Sequence, residues 1–291
     1  MSLAPSIAVR RTAFNPLPLY IGLFCLLWSF AFVAGKIGVT DCPPLILLTA
    51  RFSLAGILIL GISALRGEMS SLSWRDAGVF AILGLANNAL YLGLGYTGLQ
   101  TVSAGLGGLI VSANPVFTAV LAAAFLGESL TWRKVAGLLL GIIGVGFIVW
   151  HRMSLGTDSF HGILFKVFAP KGSLWVGNGV QNLAGGLALL PFAFTLSDVG
   201  DIVPSARLVG AFAFLVLGGS ILAYLLWFHL LKVCGATAAS AYHFLMPPLG
   251  MLFAWMVLGE HVEIRDLMGI VPVALGIYLV TRPASKTARS T

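Results

Sequence analysis

The chain has 291 residues, of which 58% are hydrophobic and 9% charged, against about 25% charged in an ordinary soluble domain. That balance excludes a water-soluble globule of this size, and continuous apolar runs of span length exclude a transmembrane β-barrel, whose segments alternate over about 10 residues. The net charge of +7 comes without any Lys/Arg cluster able to follow a phosphate backbone, so no nucleic-acid partner is expected.

Residues 1–16 read as a cytoplasmic N-terminal tail. Its Arg10-Arg11 pair before an apolar run fits either a targeting signal or a retained first helix. The run at 17–35 is of full span length and has no small-x-small cleavage site, which favours the retained helix. Further spans are predicted at 43–64, 77–98, 102–126, 135–150, 174–196, 208–231, 235–258 and 267–281. Short connections carry the turn and charge signals. Trp74, Trp132, Trp150 and Trp175 fall at span ends, as interfacial anchors do.

Two of these spans share a phrase: "NPVFTAVLAAAFLGE" at 114–128 and "MPPLGMLFAWMVLGE" at 246–260. Pro115, Gly127 and Glu128 match Pro247, Gly259 and Glu260 at an offset of 132, and Gly137 with Gly269 and Gly144 with Gly276 continue the register. Upstream the offset is 130, pairing Lys36 with Lys166 and Arg51 with Gln181. The pattern is a duplication of five spans, 17–150 and 151–282, followed by a cytoplasmic tail at 283–291.

In the second copy, only "FHGILFK" stands where a sixth span belongs, so that span is expected to be truncated. Loop charge still favours ten crossings. With a cytoplasmic N-terminus, ten crossings leave only Lys36, Arg152, Arg207 and Arg265 outside and twelve Lys/Arg inside, whereas nine crossings divide them eight and eight. An odd number of spans per copy inverts the second copy relative to the first. The expected fold is therefore an all-α polytopic membrane protein made of two inverted five-helix repeats around a central pathway.

The stretches "LLWSFAFVAGK", "LLTARFSLAGILIL" and "SANPVFTAVLAAAFLGESLTWRKVAGLLLGIIGV", with the second copy "MPPLGMLFAWMVLGEHVEIRDLMGIVPVALGIYLV", resemble the EamA-type permeases of the drug/metabolite transporter superfamily. The resemblance spans about residues 17–282 and implies a ten-helix carrier. Such a carrier exports small organic metabolites, amino acids or their analogues first, across a bacterial inner membrane, with both termini cytoplasmic. The alternatives are drug or nucleotide-sugar traffic, and a transport-inactive membrane remnant or scaffold. The short sixth span is the departure from the family pattern.

A carrier site belongs near the bilayer midplane, where polar groups are scarce. All ten acidic residues fall outside the predicted spans, which argues against a carboxylate-coupled antiporter. Arg51, about two turns into the second span, either pairs with a substrate carboxylate or binds helix-end carbonyls in a wet vestibule. Asn88 and Tyr91 share a helical face at i, i+3, with Asn87 beside them. Ser220, Tyr224 and Trp227 share another at i, i+4, i+7, and Asn88 aligns with Ser220 at the 132 offset. Two such faces suit either an amphipathic ligand or interhelical hydrogen bonding.

Trp28 is a further lining candidate, or else faces lipid. His243 binds substrate, carries a proton, or is satisfied by a backbone carbonyl. Pro115, Pro247 and Pro248 interrupt their helices as hinges or as plain kinks. The candidate substrate-binding set is thus Trp28, Arg51, Asn88, Tyr91, Ser220, Tyr224, Trp227 and His243. Cys25, Cys42 and Cys234 have no metal spacing, and neither metal nor cofactor is expected. The spans hold no paired Asp and no Ser/His constellation, so an enzyme is not expected. The expected partners are a small-molecule substrate and membrane lipid, with the chain acting as a monomer or homodimer.

Overall fold

The computed structural model describes residues 15–100, 118–119, 122–123, 131–149, 172–260 and 270–281. Its main elements are α1 (Leu17–Asp41), α2 (Pro44–Leu65), α3 (Trp74–Gly98), α4 (Trp132–Val149), α5 (Leu174–Leu196), α6 (Ala206–Cys234), α7 (Ala236–Leu258) and α8 (Ile270–Thr281), with no strand among the described residues. Six of these, α1, α2, α3, α5, α6 and α7, are long and apolar enough to cross a membrane. The predicted fourth span with Pro115, and the short sixth span, lie largely outside the described residues. The outer faces carry leucine and phenylalanine side chains, and Trp74 is almost fully exposed at its helix start. That surface suits lipid.

The inverted duplication is written into the contact between α2 and α5. Gly56 abuts Leu183, so closely that an added Cβ would sit 2.7 Å from its backbone nitrogen. Gly186 abuts Ser53 in the same way, also at 2.7 Å. Shifting 53 and 56 by 130 gives 183 and 186, so each residue meets its counterpart's neighbour. As the number rises on α2 it falls on α5, since Gly179 packs on Ile59 and Leu60. Two equivalent helices that cross antiparallel through reciprocal contacts require inverted halves. α4 and α8, the last helices of the two copies, likewise pack through Gly137 and Gly276. Small residues let these backbones approach, which in a membrane is the main source of helix association.

The shared Leu-Gly-Glu phrase has a local cause in the second copy. Gly259 adopts φ +67°, and the amides of Gly259 and Glu260 donate to the carbonyls of Trp255 and Ala254, at 3.2 and 3.3 Å. This is a helix C-terminus closed by a left-handed glycine. Upstream, α7 passes from α-helix into a 3-10 turn over Tyr242–Leu245, directly before Pro247 and Pro248. The two prolines remove the amides that would bond residues 243 and 244, so the helix is interrupted there.

α3 and α6 share a second departure from regularity. Each is wound as a π-helix in its middle, over Gly84–Tyr91 and Leu215–Ala223. A shift of 132 carries the first segment to 216–223, so the two copies widen the same turns of the same helix. π-bulges are uncommon and gather at functional sites. Serine caps are conserved between the copies as well: Ser73 accepts from the Asp76 amide and Ser205 from the Leu208 amide.

Candidate functional site

α1, α2, α3 and α6 converge on a small central cavity of about 50 Å³, bounded by Trp28, Arg51, Asn87, Tyr91, Tyr96 and Tyr224 among others. Arg51 projects from α2 and is 3% exposed. Its Nε–H donates to Ser220 Oγ and its Nη1–H to the Tyr96 hydroxyl, both at 2.8 Å. The guanidinium also lies over the Phe52 and Tyr96 rings, 5.0 and 5.7 Å from their centroids. No carboxylate among the described residues reaches it. Two glycines make room for this group: a Cβ on Gly219 would meet Arg51 Nη2 at 2.9 Å, and one on Gly35 would meet the Tyr96 hydroxyl at 2.9 Å.

Behind the cavity, α3, α5 and α6 are tied by buried carboxamides. Asn87 donates to Asn88 Oδ1 at 2.9 Å and to the Tyr224 hydroxyl. Gln181 donates to Asn88 Oδ1 at 3.3 Å, and Asn88 donates to Asn182 Oδ1 at 3.4 Å. Asn178 donates to the Ser220 and Ile221 carbonyls at 3.0 and 3.5 Å, and Asn182 reaches the Ser220 carbonyl at 3.3 Å. The wider turn of a π-helix loosens the ladder of backbone bonds, and these amides supply donors to carbonyls there.

The structure divides the candidate residues into three groups. Trp28, Arg51, Tyr91 and Tyr224 border the cavity, with Ser220 buried one bond behind Arg51. Asn88 does not share a cavity face with Tyr91. The π turn brings Asn87 into that place and turns Asn88 toward α5, because α-helical spacing does not hold across the widened turn. Trp227 and His243 belong to an aromatic cluster beside the cavity. Trp227 stacks on Phe24 at 5.6 Å and meets the His243 ring edge-on at 4.8 Å, and His243 Nδ1 lies 3.1 Å from the Ser240 carbonyl oxygen. Trp28 touches His243 and lines the cavity, and so stands between the two.

Sequence reasoning missed Tyr96, Asn178 and Asn182. The i, i+3, i+4 spacing of Asn178, Gln181 and Asn182 in an otherwise apolar span was the available signal.

Two acidic residues correct the reading that all lie outside the spans: Asp41 ends α1 and Asp76 lies in the first turn of α3, both buried. Both join the two halves, at opposite ends of the bundle. Asp41 accepts from Ser205 Oγ at 2.6 Å and pairs with Arg207 through two nitrogens, while the Val203 amide donates to its carbonyl. Asp76 accepts from the Gly172 amide at 3.2 Å, beside a bond from the Ser173 amide to the Ser71 carbonyl. A larger groove of about 1060 Å³ runs between the start of α2 and the later halves of α3 and α5. Its walls are mostly apolar and hold none of the candidate residues.

The model of the EamA-like transporter family matches this chain in two stretches, residues 17–150 and 159–282. An uncharacterized transporter of Archaeoglobus fulgidus is 25% identical over 90% of this chain and 97% of its own length. The uncharacterized transporter YoaV of Bacillus subtilis is 25% identical over 88% and 93%. The uncharacterized inner membrane transporter YedA of Escherichia coli is 25% identical over 91% of each. One solved crystal structure shares the fold, with a TM-score of 0.69 over 91% of this chain and 96% of that one, at 18% identity.

Proposed function

This chain belongs to the EamA-like transporter family and is a multi-pass membrane protein, and from that premise we propose that it exports small organic metabolites by alternating access at the central cavity. Amino acids or close analogues are the first class of substrate, and the inner membrane is the site of action. The single observation that carries the reading is the position of the cavity. It lies where α2 and α3 of one half meet α6 of the other, lined by aromatic rings, one amide and one cation. Rings take an apolar side chain, and a few convergent polar groups orient the rest of the solute. Trp28, Arg51, Asn87, Tyr91 and Tyr224 are the contact residues in this reading, with Asn88 and Ser220 holding them and Trp227 and His243 backing Trp28.

At about 50 Å³ the cavity is far below the roughly 300 Å³ of an ordinary organic-ligand site. A substrate therefore enters only when the halves part. The Asp41–Arg207–Ser205 and Asp76–Gly172 links suit this role, one clasp releasing while the other holds. Pro247 and Pro248 mark where α7 can bend.

Counterflow tests the proposal. Proteoliposomes holding the full chain are loaded with a panel of amino acids and small metabolites, and labelled uptake is followed against empty vesicles. Saturable exchange of at least one amino acid is expected. No exchange across the panel, with the protein shown to be folded and inserted, overturns it.

A further inference from the structure

We propose that Arg51 and Tyr96, with Ser220 holding the guanidinium from behind, form an anion subsite that takes the carboxylate of the transported solute. The inference rests on the transport reading and gives it a substrate class: solutes with a free carboxylate, zwitterionic or anionic.

The Arg51 guanidinium carries five N–H groups, and the structure uses two of them. Nη2 and the second hydrogen of Nη1 make no bond among the described residues. Tyr96 borders the cavity and accepts from Arg51, so its oxygen is engaged while its own hydrogen stays available to another acceptor. The guanidinium and the Tyr96 hydroxyl therefore meet with donors to spare and no acceptor bonded to those donors among the described residues. A carboxylate suits such a set, because its oxygens accept charge-assisted bonds from the unused Nη2 and Nη1 hydrogens.

Burial and space agree with this. An arginine 3% exposed and without a carboxylate partner among the described residues is costly in a membrane protein. Gly219 lets Nη2 lie close against α6, where any Cβ would press on it. The adjoining space of about 50 Å³ admits a small group, not a whole solute.

The experiment has a binding arm and a transport arm, both on the full chain. In detergent, thermal unfolding is followed with acetate, propionate and alanine, against acetamide, propionamide, alaninamide and chloride at fixed ionic strength. The carboxylates are expected to raise the midpoint of the wild type, and the amides and chloride are not. Arg51→Gln is expected to keep or raise the ligand-free midpoint, because it removes an unpaired buried charge, and to abolish the carboxylate shift. Tyr96→Phe retains the guanidinium and is expected to weaken the shift several-fold. In proteoliposomes, Arg51→Gln and Arg51→Lys are expected to lose roughly 30-fold or more in exchange of a carboxylate substrate.

Carboxylate shifts that survive Arg51→Gln, equal shifts from amides or chloride, or a ligand-free midpoint that falls sharply in both Arg51 variants overturn the subsite. The two readings fail separately. Counterflow that persists in Arg51→Gln keeps transport and removes the subsite, whereas an Arg51-dependent carboxylate shift without counterflow keeps the subsite and removes transport.

Discussion

Arg51 and Gln181 occupy equivalent places in the two halves, and so do their partners. Arg51 on α2 reaches Ser220 in the π segment of α6, and Gln181 on α5 reaches Asn88 in the π segment of α3. The backbone solution is the same twice: a second helix of one half sends a polar side chain into the widened turn of the other half's third helix. The chemistry is not the same. On one side stands a cation beside open space; on the other, four carboxamides bond one another, with only Asn87 at the cavity wall. Duplication supplied a symmetric frame, and divergence within it made one contact a site and the other a joint.

Exchanging the two side chains is the strongest way to break that comparison. The double variant Arg51→Gln with Gln181→Arg keeps every residue type in the core and moves the charge across the pseudo-twofold. The cavity loses its cation, and the new arginine meets a packed contact where the Gln181 backbone already touches Gly84. Exchange of a carboxylate substrate in counterflow is expected to fall at least ~30-fold, with a lower unfolding midpoint. Recovery of transport in the double variant would show that the two contacts are interchangeable.

The second test acts on the joint. Asn178 and Asn182 supply donors to the backbone of α6, and their equivalents on α2, at an offset of 130, are Leu48 and Phe52. The π segment of α6 is thus held on its backbone by its own half, whereas that of α3 is held through the side chains of Asn87 and Asn88. Asn178→Leu strips a donor from two carbonyls in a dry core, and a loss of about 1–3 kcal/mol in stability is expected. Thermal unfolding of the purified chain reads it. Asn87→Ala, by contrast, is expected to leave the unfolding midpoint nearer the wild type and to act on transport, because Asn87 borders the cavity.

These differences explain what could be read from the chain alone. The inverted duplication was legible in the repeated Pro…Leu-Gly-Glu phrase and the odd span count, and its register pairs Arg51 with Gln181 and Asn88 with Ser220, four residues that the structure joins in two bonds. The face of each helix was not legible. Lipid and protein core are both apolar, so an apolar span lacks the contrast by which periodicity marks an inner face in water. Leu54 and Leu85 face outward while Leu48 and Leu83 are buried, and nothing in their type distinguishes them. A π turn also leaves no signature in hydropathy, which is why α-helical spacing joined Asn88 to Tyr91 when Asn87 holds that place. Tyr96 lies near the end of the span predicted at 77–98, where nothing marked it, although its phenol accepts from Arg51.

The smallest expected effect sharpens the comparison most. Gln181→Leu removes the counterpart of the Arg51–Ser220 bond. Asn88 Oδ1 nevertheless keeps its bond from Asn87 at 2.9 Å, so no acceptor is stranded. A side-chain bond between membrane helices averages about 0.6 kcal/mol, and a loss of that order is expected, with carboxylate exchange within about threefold of wild type. Arg51→Leu, at the equivalent position, is expected to behave in the opposite sense: stability held, exchange lost. A group kept for binding burdens the empty protein and is relieved by its ligand, whereas a group kept for joining helices stabilises the protein whether or not a ligand is present. If Gln181→Leu proved as damaging to exchange as Arg51→Leu, the amide cluster would be part of the substrate path and the division between site and joint would fall.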